Sequence, residues 1–205
     1  TEDPVTAALL APYGTRVETP EEADVAIVFV ESPACNPYSK ADAESGGNGY
    51  LPITLQYRPY TADTARAVSI AGGDFREDFT NRSYRGKTNT AYNESDLDNI
   101  LACRRAMGDK PVIVCAALNN PMVMHEFERE TDAIVVEFGV SRAAVLDVVF
   151  GDYEPTGRLP IQIPKDMETV EAQSEDRALD MEPHVDEAGN AYDYGFGLNY
   201  SGVIG

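Results

Sequence analysis

One carboxylate in this chain stands where acid–base chemistry could be done. Glu31 follows directly on the apolar run Val25–Val30. A carboxyl group at a strand end, walled by apolar side chains, is held closer to its protonated form, which a general acid requires. Polar and aromatic side chains follow it. Tyr38 and Tyr50 lie in and at the end of the next loop, Asn48 sits in its glycine cluster, and Tyr57, Arg58 and Tyr60 come after. Tyrosines near strands are equally well used as packing residues with a wet hydroxyl. Arg58 reads as a ligand contact or a surface ion pair. Asn119, at the end of the run PVIVCAAL, reads as a tight turn before Pro121 that also lies near the ligand edge.

Other chemistries find no support. There is no GxSxG elbow, and the two histidines, His125 and His184, lie in polar contexts that read as surface. No Walker A sequence is present, and Gly195-Phe-Gly197 lacks the third glycine of a dinucleotide loop. The tract Asp180–Asp193 matches no EF-hand spacing and reads as a solvated acidic loop, so no metal site is expected. Three cysteines without a CxxC argue against zinc and against a disulfide framework. Cys103 and Cys115 read as buried thiols, and Cys35 falls in a proline-bearing loop. No cofactor is expected. A formal net charge of −19 disfavours nucleic acid and anionic membrane surfaces, whereas a neutral substrate is indifferent to it. No apolar run approaches the roughly 20 residues of a membrane span.

The elements that must position these residues alternate. Val25–Val30, Pro111–Leu118 and Ala133–Phe138 are short continuous apolar runs, read as strands buried on both faces. Leu51–Tyr57 alternates like a strand that Pro52 confines to an edge or a start. Thr15–Val17 and Arg158–Ile163 read as brief strands. Helices are expected over Thr6–Leu10, from a start at Thr19–Ala23, and over Thr61–Ile70. Further helices are expected from Asn93 to Met107 (ended by Gly108), over Met122–Glu130, and from Ser141 to Phe150. Ser32–Tyr50 and Ala71–Ala91 read as loops, and the stretch after Ile163 as acidic loop. Strands alternating with helices of ten to fifteen residues imply βαβ crossovers. The expected fold is a three-layer α/β sandwich with a mainly parallel, doubly wound sheet, in a single domain over 1–205. In such sheets ligands bind outside the carboxyl ends of the strands, where Glu31 falls.

Several stretches taken in order resemble the C-terminal α/β sandwich domain of family 3 glycoside hydrolases. They are Glu22–Val30, Lys110–Cys115, Asn119–Val123, Asp132–Gly139, Leu146–Pro160 and Asp193–Tyr200. The most specific is Gly151-Asp-Tyr-Glu-Pro-Thr-Gly-Arg-Leu-Pro160, similar to the family's "GDxxPSGRLP" turn. The resemblance implies a β-glucosidase-like retaining enzyme whose nucleophilic aspartate lies in an amino-terminal TIM barrel. It implies a fragment without that barrel and without the sandwich's first strand, inactive alone. In many members the sandwich lends the acid/base from a loop after a "VVVGE" strand, so Glu31 is implied in that role. The glycine that precedes the acid in the family is absent here. Glu44 is the second candidate, since the same loop can carry a later acid before Gly-Asn. Tyr38, Asn48, Tyr50, Arg58 and Asn119 are the expected substrate contacts. The expected partners are the barrel, as a domain or subunit, a neutral glucoside or oligosaccharide, and a second copy in a homodimer. A non-catalytic structural, dimerisation or carbohydrate-binding sandwich is the competing function. A domain for a phosphorylated ligand fits the charge badly.

Overall fold

A computed structural model describes residues 4–67, 82–174 and 177–204. The strands are β1 (Ala26–Glu31), β2 (Tyr60–Thr61), β3 (Thr88–Asn89), β4 (Val112–Ala117), β5 (Ala133–Glu137), β6 (Leu198–Asn199) and β7 (Gly202–Val203). The helices are α1 (Pro4–Leu10), α2 (Lys40–Glu44), α3 (Ser95–Met107), α4 (Arg142–Val149) and α5 (Met167–Ala172). A 3-10 turn spans Glu128–Glu130.

The sheet that organises the chain is parallel, in the order β1-β4-β5. Its register aligns Phe29 with Cys115 and Val135, and Glu31 with Ala117 and Glu137. Successive side chains alternate between faces. Val28, Val30, Val114, Ala116, Ile134 and Val136 therefore share one face, where they meet Leu97 and Ile100 of α3 together with Tyr57, Met122, Met124 and Phe127. Phe29 and Cys115 turn to the other face, toward Val145 of α4. Helix, sheet and helix make the three layers of an α/β sandwich. α1 lies against α4.

Local chemistry explains the well-formed elements. α3 carries Asp96 and Asp98 in its first turn and Arg104 and Arg105 in its last, matching the helix dipole. Gly108, at φ +60°, ends it in a conformation costly to any side chain. Ser141 caps α4 by accepting the N–H of Ala144 at 3.3 Å. Arg104 bonds Asp132 at 2.9 Å, and the same carboxylate accepts the N–H of Val112 at 2.8 Å, tying α3 to the starts of β4 and β5.

Several expectations change. β1 is an edge strand among the described residues, with Phe29 37% exposed, and the strand buried on both faces is β4. Glu31 is the last residue of β1, not the first beyond it. Thr15–Val17 forms no strand. Thr19–Ala23 makes turns, and Lys110 Nζ takes the carbonyls of Pro20, Glu21 and Ala23 that a helix would use. Leu51–Tyr57 forms no strand, because N–H groups in its second half go to side chains: Thr54 to Cys35 Sγ, Leu55 to Met167 Sδ, Tyr57 to Glu126. Thr61 ends β2 and turns follow it where a helix was expected, and residues 68–70 of that helix lie outside the described residues. Met122–Glu130 is helical only in its last three residues. Arg158–Ile163 is extended without a regular ladder. Leu159 and Gly195 exchange bonds with Phe196 and Leu159 carbonyls at 2.7 and 2.8 Å, and Ile163 bonds Tyr192 at 2.9 Å. The expected loops contain α2 and α5. Of the loop expected over Ala71–Ala91, residues 71–81 lie outside the described residues.

His184 is buried, not a surface residue. It stacks edge-on against Tyr192 with centroids 5.2 Å apart, and its Nε2 lies 3.6 Å from Glu128. Cys115 is buried as expected, which pushes its thiol up to about 12, and Cys35 and Cys103 are half-buried.

Candidate functional site

At the carboxyl end of the sheet a cleft of about 450 Å³ opens between the starts of α3 and α4. Its floor is apolar, from Phe29, Cys115, Ala117 and Val145. Its rim carries Glu31, Asn93, Asp96, Glu137 and Arg142. Glu31 and Glu137 share one register row with Ala117 between them. Two strand spacings put their Cα atoms about 10 Å apart.

The rim acids are not equivalent. Glu137 Oε2 accepts the N–H of Gly139 and of Val140, so it closes its own turn. Asp96 Oδ2 accepts the N–H of Glu31 at 3.3 Å and Asn93 Nδ2 at 3.1 Å. Glu31 is exposed, and the hydrogen bonds of this residue among the described residues go to its backbone N–H and carbonyl, not to its carboxylate. It is therefore the rim acid free to meet a ligand. The apolar side chains expected to wall it lie on the cleft floor, and among the described residues they leave Glu31 exposed. Arg142 lies over the Phe29 ring, 5.1 Å from its centroid. That contact fixes the side of the cleft opposite Asp96.

The peptide of Glu31 is held on both sides. Tyr57, fully buried, donates its hydroxyl to the Glu31 carbonyl at 2.6 Å. Burial, with the charges of Asp96, Glu126 and Glu31, pushes that hydroxyl far above its ordinary range, so it remains a donor. Asn93 Nδ2 reaches the same carbonyl and that of Ser32, each at 3.3 Å, while its Oδ1 accepts Ala34 N–H at 2.9 Å.

The other expected residues lie outside the cleft lining. Glu44 ends α2, exposed, with Lys40 at 3.4 Å. Tyr38 and Tyr50 face each other across an isolated bridge, rings edge-on at 6.2 Å, and Tyr38 is 48% exposed. Asn48 donates to Ser83 at 2.7 Å and accepts from Lys87 at 2.6 Å. Lys87 also bonds Asp42 at 2.7 Å, which holds that carboxyl below its usual range. Arg58 pairs with Glu94 at 2.8 Å and Asp98 at 2.6 Å, which raises its pKa further. Asn119 is exposed, and its N–H donates to buried Ser32 Oγ at 3.0 Å. Asp96, Asn93, Glu137 and Arg142 were not singled out from the sequence. Glu137 carried the same signal as Glu31, an acid closing an apolar run. The others read as helix starts.

Among the described residues no group of three or more His, Cys, Asp or Glu could hold a metal ion. No helix there is long and apolar enough to cross a membrane.

The described residues thus form a parallel α/β sandwich with a carboxylate, Glu31, on the rim of a cleft at the carboxyl end of its sheet. The glycosyl hydrolase family 3 C-terminal domain model matches residues 11–200, and the chain belongs to that family. It is 40% identical over 90 residues to beta-glucosidase C of Emericella nidulans, a stretch covering 44% of this chain and 14% of that protein. It is 37% identical over 91 residues to probable beta-glucosidase C of Aspergillus flavus, covering 44% and 13%. It is 29% identical over 130 residues to a periplasmic beta-glucosidase of Salmonella typhimurium, covering 56% and 17%. The chain thus spans less than a fifth of the length of these relatives.

Proposed function

We propose that this chain is the sandwich portion of a retaining β-glycosidase acting on neutral β-glucosides, and that Glu31 is its acid/base. The observation that carries the reading is the placement of Glu31 at the carboxyl end of β1, on a cleft rim, with no partner for its carboxylate among the described residues. Family membership and β-glucosidase relatives support the reaction class. Retaining enzymes need two carboxyl groups about 5–5.5 Å apart, one a nucleophile and one an acid/base. Glu31 and Glu137 stand about 10 Å apart by backbone and Glu137 is committed to its own turn, so the pair is not completed within the cleft. The nucleophile is assigned to an amino-terminal barrel domain or subunit. Glu31 protonates the glycosidic oxygen as the bond breaks, then takes a proton from the water that frees the sugar.

Glu44 remains the second acid/base candidate, on a helix that would have to lose its Lys40 contact to serve. Tyr38 offers an exposed ring face for stacking on a sugar. Tyr50, Asn119, Asn48 and Arg58 complete the proposed substrate side. Asn48 and Arg58 act there by holding their loops, since their polar atoms are already bonded. The test is to mix this chain with a separately expressed barrel. Alkyl glucoside hydrolysis should require both and should collapse with Glu31→Ala. Hydrolysis that survives Glu31→Ala combined with Glu44→Ala would make the chain an architectural domain, and turnover by the chain alone would remove the division of labour.

A further inference from the structure

Resting on the reading of Glu31 as acid/base, we infer that Tyr57, Asn93 and Asp96 form a peptide clamp that aims the Glu31 carboxyl, making them positioning residues for proton transfer. Glu31 lies at the end of β1, an edge strand among the described residues, where its N–H points away from β4. An unpaired strand end of this kind frays, and a carboxyl on it would sample many directions. Here the N–H goes to Asp96 Oδ2 at 3.3 Å, and the carbonyl accepts Tyr57 Oη at 2.6 Å and Asn93 Nδ2 at 3.3 Å. Asn93 extends the grip to Ser32 and Ala34, bonds Asp96, and shares the Glu31 carbonyl with Tyr57, so the three side chains converge on one peptide. Each anchor is itself fixed. Tyr57 is fully buried against Phe127, its ring centroid 6.5 Å away, and Asp96 belongs to the first turn of α3. The next residue, Ser32, is buried and accepts the N–H of Asn119 and of Asn120 at 3.0 and 3.3 Å. The chain thus leaves β1 along one defined path, with only the Glu31 side chain left free.

A side chain has little freedom to miss its target when its own peptide is immobile, and a misplacement of about 1 Å can cost roughly 100-fold in rate. Loosening the clamp should therefore act on the step that needs the proton and leave binding intact. The experiment compares Tyr57→Phe, Asn93→Ser and Glu31→Gln in the enzyme that joins this chain to its barrel, with alkyl and dinitrophenyl glucosides. Tyr57→Phe removes only a hydroxyl, so it reports on the clamp even where Asn93→Ser impairs folding. The clamp variants should lower kcat/KM on the alkyl glucoside by roughly 10- to 100-fold, with kcat/KM on the dinitrophenyl glucoside, which reads only the first step and needs no acid there, within about 3-fold of the parent. In the chain itself, hydrogen exchange at the Glu31 amide should accelerate at least tenfold in Asn93→Ser, with exchange in β4 unchanged. If Glu31→Gln shows the leaving-group split and the clamp variants do not, the clamp is merely structural and the inference fails while the acid/base reading stands. If Glu31→Gln shows no split, the acid/base reading fails and the clamp has nothing to aim.

Discussion

Glu126 provides the sharpest stability test, because its contribution can be worked out from two bonds. One carboxylate oxygen accepts the N–H of Tyr57 at 2.6 Å and the other that of Arg58 at 3.0 Å. Tyr57 is fully buried, so in Glu126→Ala its N–H loses a charged acceptor. Hydrogen bonds to charged groups contribute about 1.5–3 kcal/mol each. Arg58 is more exposed, so water recovers part of its bond. The expected loss is about 2–4 kcal/mol. For a chain of this size that corresponds to a fall in melting temperature of about 5–12 °C. Glu126→Gln keeps one acceptor oxygen and should lose roughly half as much. Circular dichroism melts and urea midpoints measure both variants. A change of under about 2 °C for Glu126→Ala would show that the 54–58 segment is held by packing alone and that the bonding argument is wrong.

Three further outcomes follow. A Cβ on Gly197 would meet the Gly157 carbonyl at 2.4 Å, a backbone atom that cannot step aside, so Gly197→Ala should destabilise by about 1–3 kcal/mol in denaturant titration; an unchanged midpoint contradicts the close approach. Burial lowers the pKa of His184 against the opposing pull of Glu128 and Asp186, with His125 also near and Tyr192 packed on its ring. The unfolded chain then takes up the proton first, so the stability carried by the neutral ring is complete above about pH 6.5 and is lost as pH falls through the folded value. Urea midpoints of His184→Gln should therefore decline less than those of the parent between pH 7 and pH 5, and parallel declines would exclude the ring as the cause. Lys87→Met removes the cation that joins Asp42 to Asn48, so limited proteolysis between Tyr38 and Tyr50 should accelerate while the sheet's melting transition stays within about 4 °C.

The sheet was legible because its signals are local. VIVCAA has no room for a helical stripe, Gly108 and Ser141 mark helix ends, and the Gly151–Pro160 and Asp193–Tyr200 phrases meet through the Leu159, Gly195 and Phe196 bonds. What was not legible depends on partners distant in sequence. Leu51–Tyr57 alternates like a strand, yet amides in its second half are taken by Cys35, Met167 and Glu126. His184 sits among acidic residues in the chain and becomes buried only when Tyr192 and Glu128 close on it. At the cleft, the rule that places ligands beyond strand ends points to Glu31 and equally to Glu137, both of which line it. It had no means of finding Asp96 or Asn93, whose value lies in reaching back across more than sixty residues to the Glu31 peptide.

The central claim is that Glu31 supplies and then withdraws the proton. The most direct measurement is chemical rescue of Glu31→Ala in the enzyme joined to its barrel, using a dinitrophenyl glucoside. That leaving group departs without an acid, so the sugar accumulates on the nucleophile because no base activates water. Azide needs no base and fits the space left by the carboxylate. The account predicts that azide restores turnover and that the product is the β-glucosyl azide. Turnover indifferent to azide, with β-glucose as the only product, would contradict it.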